Sequence, residues 1–325
     1  MTYSVAIRTL GLAPDSLRQT LEGVIAQTVA PVRVAVYMPH GYNPPDFRVA
    51  TEEYFFVEKG MISQRALPYD ELRSDCIMML DDDIVPAPDC AERLLDDMQT
   101  MGLDLAGVDV FRTHTLGRTT RLKAAMLNMV FPHHHPDRGF ILRPWGSFAY
   151  PASQLKGTHP TDTVPGPLMM WRRSSLLSLD LADEIWLERL GFAYGDDALE
   201  SYKTVARGMK AAVNFDIRVR NLEARTASDP YRNNPRRHFI RAKAMTMTWW
   251  RMLYKPHGNS VPGSLKALAA GVLKYLWAGA AMACVSLATL SPVPLWQWLR
   301  GVADGIASAR SSEFSSIPPY IPSRP

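Results

Sequence analysis

The chain has 325 residues, of which 47% are hydrophobic and 21% charged, and this composition excludes a disordered polypeptide. Its three cysteines are an odd number and have no metal-site spacing, so a disulfide framework is not expected. Residues 1–8 lack the basic stretch and apolar region of a secretory signal, and we therefore expect a cytoplasmic protein. Residues 1–200 carry 18 Lys and Arg against 27 Asp and Glu, whereas residues 201–325 carry 18 against five. The acidic N-terminal part is suited to binding a metal cation, and the basic C-terminal part is suited to binding anionic lipid or a diphosphate.

Short apolar stretches alternate with amphipathic ones along the first 110 residues. Strands are predicted at 4–10, 32–38, 54–57 and 75–80, and helices at about 15–28, 63–74 and 88–102. This alternation predicts an α/β fold with a mostly parallel sheet flanked by helices. In such sheets, ligands bind beyond the carboxyl ends of the strands.

The pattern weakens between residues 111 and 165, a stretch long enough to be a binding loop. It contains His133, His134 and His135, whose consecutive side chains suit an exposed loop better than a structural metal site. After it, the sequence predicts a helix over 184–190, a second helix over 196–207 and a strand over 211–219.

Residues 226–325 are predicted to form a separate C-terminal region that is basic and helical. Residues 235–255 are basic and aromatic, and residues 275–299 carry no charge at all. We expect this tail to attach peripherally to a membrane, with a membrane span and packing within the protein or an oligomer as alternatives. The same composition could bind nucleic acid, but no nucleic-acid motif accompanies it.

Three adjacent carboxylates, Asp81, Asp82 and Asp83, follow the apolar strand 75–80. Like charges repel, so a fold keeps them together at a strand end when a cation offsets the cost. Oxygen ligands in one turn suit Mg²⁺ or Mn²⁺. The alternative is a solvated acidic turn that caps the next helix.

A second acidic pair, Asp196 and Asp197, opens a predicted helix. A carboxylate at this position is often only a helix cap. The functional alternative is a general base, whose pKa would be tuned by its neighbours.

The order of these features resembles the family 2 glycosyltransferases, which are inverting, nucleotide-sugar-dependent enzymes with a GT-A fold. Four segments within about residues 3–225 carry the resemblance. They are Ser4-Val-Ala-Ile-Arg-Thr with Gln27-Thr-Val-Ala-Pro-Val-Arg-Val, Gly60-Met-Ile-Ser-Gln-Arg with Asp75-Cys-Ile-Met-Met-Leu-Asp-Asp-Asp, Pro165-Gly-Pro-Leu-Met-Met-Trp-Arg-Arg, and Gly195-Asp-Asp-Ala-Leu-Glu-Ser-Tyr-Lys with Gly208-Met-Lys. The resemblance implies a catalytic domain over 1–225, followed by the C-terminal region.

The resemblance also implies a metal site for Mg²⁺ or Mn²⁺. Asp81 and Asp83 match the outer carboxylates of the family's Asp-x-Asp motif, with Asp83 the more direct ligand. Many relatives add a His after the last strand of the sheet. Asn221 stands there in this chain, and its carbonyl can still coordinate a hard cation.

Donor and acceptor roles follow from the same match. Thr9, Arg65 and Asp82 would bind the nucleotide-sugar donor, although the second strand runs into Met38-Pro-His rather than the nucleobase-binding acid of many relatives. On the acceptor side, Asp197 would deprotonate the acceptor hydroxyl, and Asp196 takes the place of the family's Glu.

Two tryptophans, Trp145 and Trp171, could form platforms for an acceptor sugar, with core packing as the alternative. The resemblance therefore predicts sugar transfer to a glycan or lipid-linked acceptor. From the basic and apolar tail we expect the protein to lie in the cytoplasm, at the inner face of the membrane. Two other functions stay open: a metal-dependent phosphohydrolase, and a non-catalytic protein that binds nucleotide sugars or docks on a membrane.

Overall fold

A computed structural model of the protein describes residues 1–49, 51–110, 137–143, 146, 148–149, 151, 155–222, 234–257 and 261–321. The chain divides into two compact units. Unit 1 comprises residues 1–141, 149–181 and 200–227, and unit 2 comprises residues 142–148, 182–199 and 228–325. This division differs from the one predicted at residue 225, because residues 182–199, which include Asp196 and Asp197, belong with the C-terminal region.

Unit 1 is built on an eight-stranded sheet. The strands of the chain are β1 (Tyr3–Arg8), β2 (Val34–Pro39), β3 (Glu53–Val57), β4 (Cys76–Asp81), β5 (Ile84–Pro86), β6 (Leu105–Val108), β7 (Ile141–Leu142), β8 (Phe148–Ala149), β9 (Thr158–Pro160), β10 (Leu168–Arg172), β11 (Ala211–Asn214) and β12 (Val219–Asn221). The sheet order is β3-β2-β1-β4-β10-β6-β11-β9, in which β9 and β10 run antiparallel to their neighbours. The predicted α/β class with a mostly parallel sheet is confirmed.

The central strands are almost continuously apolar because both faces of the sheet are covered. Val5 and Ile7 of β1 point into one core cluster, and Ala6 points into the cluster on the opposite face. Helices α1 (Pro14–Ile25) and α2 (Cys90–Thr100) cover the first face, and both bring buried side chains into its cluster. Each central strand is therefore fixed by packing on both sides.

The register of the strands determines which residues meet at the carboxyl edge of the sheet. Arg8 is aligned with Tyr37 of β2 on one side and with Asp81 of β4 on the other. Beyond Asp81 the chain turns into β5, which pairs antiparallel with β12. The acidic turn thus lies between two sets of paired strands.

Two sequence predictions in unit 1 were wrong in detail. Residues 63–74 form a series of turns instead of a helix, since Pro68 interrupts the segment and Tyr69 adopts a positive φ of 48°. The strand predicted over 211–219 is divided into β11 and β12. Between them, the side chain of Asn214 accepts hydrogen bonds from the backbone N–H groups of Asp216 and Ile217 and stabilises a turn.

The remaining helices are α3 (Arg173–Leu177), α4 (Asp196–Ala206), α5 (Arg236–Trp249), α6 (Val261–Ala288), α7 (Val293–Ala309) and α8 (Ser312–Ser316), with 3₁₀ helices over Leu181–Leu190 and Lys255–His257 and a π-helix over Trp250–Tyr254. Unit 2 is mainly the helices α5 to α8. Helix α7 lies close against α5 at Gly301 and Gly305, and an ion pair of 2.7 Å joins Lys243 to Asp304.

Candidate active site

The three carboxylates of the acidic turn have different surroundings. Asp81 ends β4 and accepts a hydrogen bond of 2.6 Å from the guanidinium of Arg8. Asp82 is buried and accepts a hydrogen bond from the hydroxyl of Thr9. That hydroxyl accepts in turn from the backbone N–H of Gly11. Thr9 and Asp82 therefore hold the turn against the end of β1, and their contact with a donor stays a prediction.

Asp83 lies beside the strand that carries Asn221. The N–H of Leu222 donates to the backbone oxygen of Asp83 over 2.8 Å, and Asn221 is paired with Ile84. Both Asp83 and Asn221 are half-buried. This pairing brings together two positions that are 138 residues apart and that the sequence assigned to one metal site.

Carboxylate and amide oxygens form a donor set that suits a hard divalent cation. Over the part of the chain that the structure describes, no group of three or more His, Cys, Asp or Glu side chains is arranged to hold a metal. Asn221 is not one of those residue types, so an Asp83–Asn221 site with water ligands is compatible with this finding. Asp81 is paired with Arg8 at 2.6 Å.

Arg65 lies in the run of turns that replaces the predicted helix. It is buried and forms an ion pair with Glu200 of α4, whose side chain is also buried. Close by, the hydroxyl of Tyr69 donates to the backbone oxygen of Gln64. Burial raises the pKa of Tyr69, and the charges of Arg8, Glu200 and Arg65 also act on its phenol. The two guanidinium groups of Arg8 and Arg65 thus share one region of unit 1.

The second acidic pair belongs to unit 2. Gly195 turns the chain into α4. Its φ of 84° is a conformation that would be strained for a residue with a side chain. Asp196 is buried, whereas Asp197 is half-buried and accepts a hydrogen bond of 2.8 Å from the N–H of Ala198. Asp197 is the more accessible of the two candidate bases.

Of the two tryptophans predicted to contact an acceptor sugar, the structure describes Trp171 and not Trp145. Trp171 is 0% exposed on β10 and packs in the core cluster beside Ile77 and Met169, so its side chain is not available to stack on a sugar. For Trp171 the structure supports the core-packing alternative. Trp145 and the three histidines at 133–135 lie outside the described residues.

Sequence reasoning missed Arg8 and Glu200. A cation at the end of an otherwise apolar strand is a usable signal for Arg8, because strand ends carry the ligand-binding groups of such sheets. Glu200 is three residues beyond Asp197 on the same helix, and no local pattern distinguishes it from a surface acid. Its importance depends on the long-range pairing with Arg65.

Cys76 and Cys90 are poor candidates for a nucleophile. Both are fully buried in unit 1, and burial raises the pKa of Cys76 to about 11 and that of Cys90 to about 12. At neutral pH both are therefore uncharged thiols, and nucleophilic chemistry requires the thiolate.

No family model matches this chain, and neither does any curated protein. A functional assignment therefore depends on the chain's own residues and their arrangement.

Proposed function

We propose that this chain is an inverting glycosyltransferase with a GT-A-type fold that uses Mg²⁺ or Mn²⁺. It would transfer a sugar from a nucleotide-sugar donor to a hydroxyl group of a glycan or a lipid-linked acceptor, on the cytoplasmic side of a membrane. One observation carries the proposal: the acidic turn at the carboxyl end of β4 lies beside the strand of Asn221. The order of the sequence motifs supports the same function.

On the donor side, Asp83 and Asn221 would hold the cation, with Asp81 as a further oxygen ligand. A bound divalent cation supplies positive charge that stabilises the departing nucleoside diphosphate. Arg65 and Arg8 are already paired with Glu200 and Asp81, so each would bind phosphate oxygens by exchanging its carboxylate partner for the phosphate. Thr9 would border the nucleoside with Asp82 also on the donor side, and the hydrogen bond between them holds the turn in position.

On the acceptor side, Asp197 would accept the proton of the acceptor hydroxyl. The acceptor oxygen then forms a bond to the anomeric carbon while the bond between that carbon and the diphosphate oxygen breaks. Attack from the face opposite the leaving group inverts the configuration. Asp196, the second acid of the pair, would lie on the acceptor side together with Asp197. Trp145 is the remaining aromatic candidate for contact with the acceptor.

The Arg8–Asp81 ion pair favours a second candidate, a nucleotide-sugar-binding protein without turnover. Arg8 already neutralises one of the carboxylates that would hold the cation. In that case Arg8 and Arg65 would bind the diphosphate without a metal. Such a protein would bind nucleotides equally well in EDTA.

The test of the proposal is release of nucleoside diphosphate from a panel of nucleotide sugars, with Mn²⁺ and with a mixture of glycan and lipid-linked acceptors. We expect release from donors of one base. Asp83→Ala and Asp197→Asn should each lower the rate by about 10²-fold or more, because one removes charge stabilisation and the other removes the general base. Glu22→Ala, which removes an exposed acid of α1, is the matched control and should keep the wild-type rate.

Thermal melts of the three variants show whether each remains folded. Wild-type turnover in folded Asp197→Asn would remove Asp197 from the proposed role of base. Release of inorganic phosphate without any acceptor would instead identify a phosphohydrolase.

A further inference from the structure

Helix α6 does not have the polar outer face that a helix at a protein surface normally shows. Its packed face combines small residues with Tyr275: Ala267 and Ser286 are buried, a Cβ added at Gly271 would lie 2.6 Å from the ring of Trp249, and the Tyr275 hydroxyl donates to the Thr246 hydroxyl. Its outer face carries large apolar side chains that are 40–74% exposed, namely Leu265, Leu268, Val272, Leu273, Leu276, Trp277 and Leu287. Small residues inside and large apolar residues outside are typical of helices that contact lipid.

Apart from the indole N–H of Trp277, the outer face of α6 offers no strong hydrogen-bonding side chain over most of its length. From Val272 to Ala288 its exposed residues are Val, Leu, Trp, Ala and Cys. Protein interfaces combine apolar contacts with about one hydrogen bond per 100–200 Å². Lipid chains require none, so this face fits a bilayer better than a second copy of the chain.

The turn between α6 and α7 pairs its own backbone N–H groups. The N–H groups of Thr289, Leu290 and Ser291 donate to carbonyl oxygens of the last turn of α6. The N–H of Val293 donates to the Ser291 hydroxyl, that of Leu295 to the Ser286 hydroxyl, and that of Trp296 to the Pro292 carbonyl. The two remaining positions, 292 and 294, are prolines without an N–H group.

Such internal pairing is what a turn needs in a medium without water, where an unsatisfied N–H costs several kcal/mol. In water the same turn could have left these groups to the solvent. The apolar side chains of the turn are also exposed, with Leu290 at 94% and Trp296 at 60%.

Basic residues flank this apolar surface. Lys266 near the start of α6 and Arg300 on α7 are exposed, as are Arg236 and Arg241 on α5. These charges suit the anionic headgroups of a membrane surface. Between Lys274 and Arg300 no residue is charged.

We infer that the hairpin formed by α6 and α7 is a monotopic membrane anchor, with its tip and the outer face of α6 embedded in a bilayer that contains anionic lipid. Helix α6 is long and apolar enough to cross a membrane. Helix α7, however, carries the exposed Arg300 only seven residues after its start, about 10 Å along the helix at 1.5 Å per residue, which is far less than the hydrocarbon thickness of about 30 Å. The hairpin therefore enters the bilayer without crossing it. This anchor is independent of the proposed sugar transfer.

Cys284 provides the test. It is exposed on the outer face of α6, whereas Cys76 and Cys90 are buried, so a thiol-reactive, polarity-sensitive fluorophore labels position 284 of the full chain. With vesicles of phosphatidylcholine and phosphatidylglycerol, we expect the emission to shift to the blue. Quenchers attached to the acyl chains should reduce it, and iodide added outside or sealed inside the vesicles should not.

Two pairs of variants provide the comparison. Leu287→Asp combined with Leu290→Asp should weaken vesicle binding by about tenfold or more, because two exposed apolar side chains of the tip are lost. Leu12→Asp combined with Val32→Asp alters two residues of unit 1 that are 62% and 67% exposed and should leave binding unchanged. All four side chains are exposed, so neither pair opens a core.

Three results would overturn the inference. One is the absence of any spectral shift with vesicles. Another is a dimer in lipid-free solution whose label is already shifted to the blue and which the tip variant dissociates, since a second copy would then cover the face. The third is quenching by iodide sealed inside the vesicles, which would show that the hairpin spans the bilayer.

Discussion

At the scale of single residues, the acidic turn shows what a sequence can and cannot reveal. Three consecutive carboxylates are easy to recognise, but they have different partners: Arg8 for Asp81, Thr9 for Asp82, and the strand of Asn221 for Asp83. These partners depend on the register of β1 against β4 and of β5 against β12. Register is a long-range property, so the motif could be predicted and the division of roles could not.

A buried ion pair in unit 2 leads to a prediction at this scale. Glu184 accepts two hydrogen bonds from Arg251, of 2.6 and 2.7 Å, and a third from the indole of Trp186. Glu184 and Arg251 are 0% and 1% exposed. Glu184→Gln leaves the guanidinium buried without its counter-charge, so we expect a loss of about 3–5 kcal/mol in the free energy of unfolding, measured by denaturant titration.

The matched control is the exposed pair of Arg189 and Glu313, whose side chains are 70% and 83% accessible. Glu313→Gln should change the free energy of unfolding by less than about 1 kcal/mol, as is usual for surface pairs. Equal effects of the two substitutions would contradict the argument from burial.

At the scale of elements, periodicity predicted strands wherever a buried apolar stretch was uninterrupted, as in β1, β2 and β4. It failed over 63–74, where a helical pattern contains Pro68 and the chain forms turns around Arg65. The orientation of α6 was also beyond prediction. Its composition indicates an apolar helix, but only the packing against Trp249 and Trp298 shows that the glycines face inward.

Close approach of α5 and α7 gives a second prediction. A Cβ at Gly301 would lie 2.3 Å from the backbone oxygen of Phe239 and 2.8 Å from the Cβ of Ala242. Gly301→Ala therefore forces the helices apart, and the overpacking cost of about 1–3 kcal/mol exceeds the gain in helix propensity of about 1 kcal/mol. We expect a melting temperature lower by a few degrees.

Gly279→Ala is the corresponding control. Its Cβ would lie 3.3 Å from the edge of the Trp298 ring, a side chain that can shift slightly. We expect its melting temperature to equal or exceed that of the wild type, since alanine favours the helix. A fall as large as that of Gly301→Ala would show that Trp298 is held as rigidly as the α5 backbone.

At the scale of the whole molecule, the division of charge along the chain was visible in the sequence, and the division into compact units was visible only in part. Residues 182–199 belong with the C-terminal region because of contacts such as Glu184–Arg251 and the hydrogen bond from Tyr320 to the Leu199 carbonyl. These contacts join positions 67 and 121 residues apart. Local patterns contain no information about pairings of that kind.

The measurement that tests the central claim most directly is a thermal-shift panel of nucleoside diphosphates and nucleotide sugars, each with Mn²⁺, with Mg²⁺ and with EDTA. A ligand at about 100 times its Kd stabilises the folded state by about 2.7 kcal/mol. We predict a rise of several degrees with nucleotides of one base, present with the metal, absent in EDTA and absent in Asp83→Ala. No rise with any nucleotide, or an equal rise in EDTA and in Asp83→Ala, would contradict a metal-dependent donor site at the acidic turn.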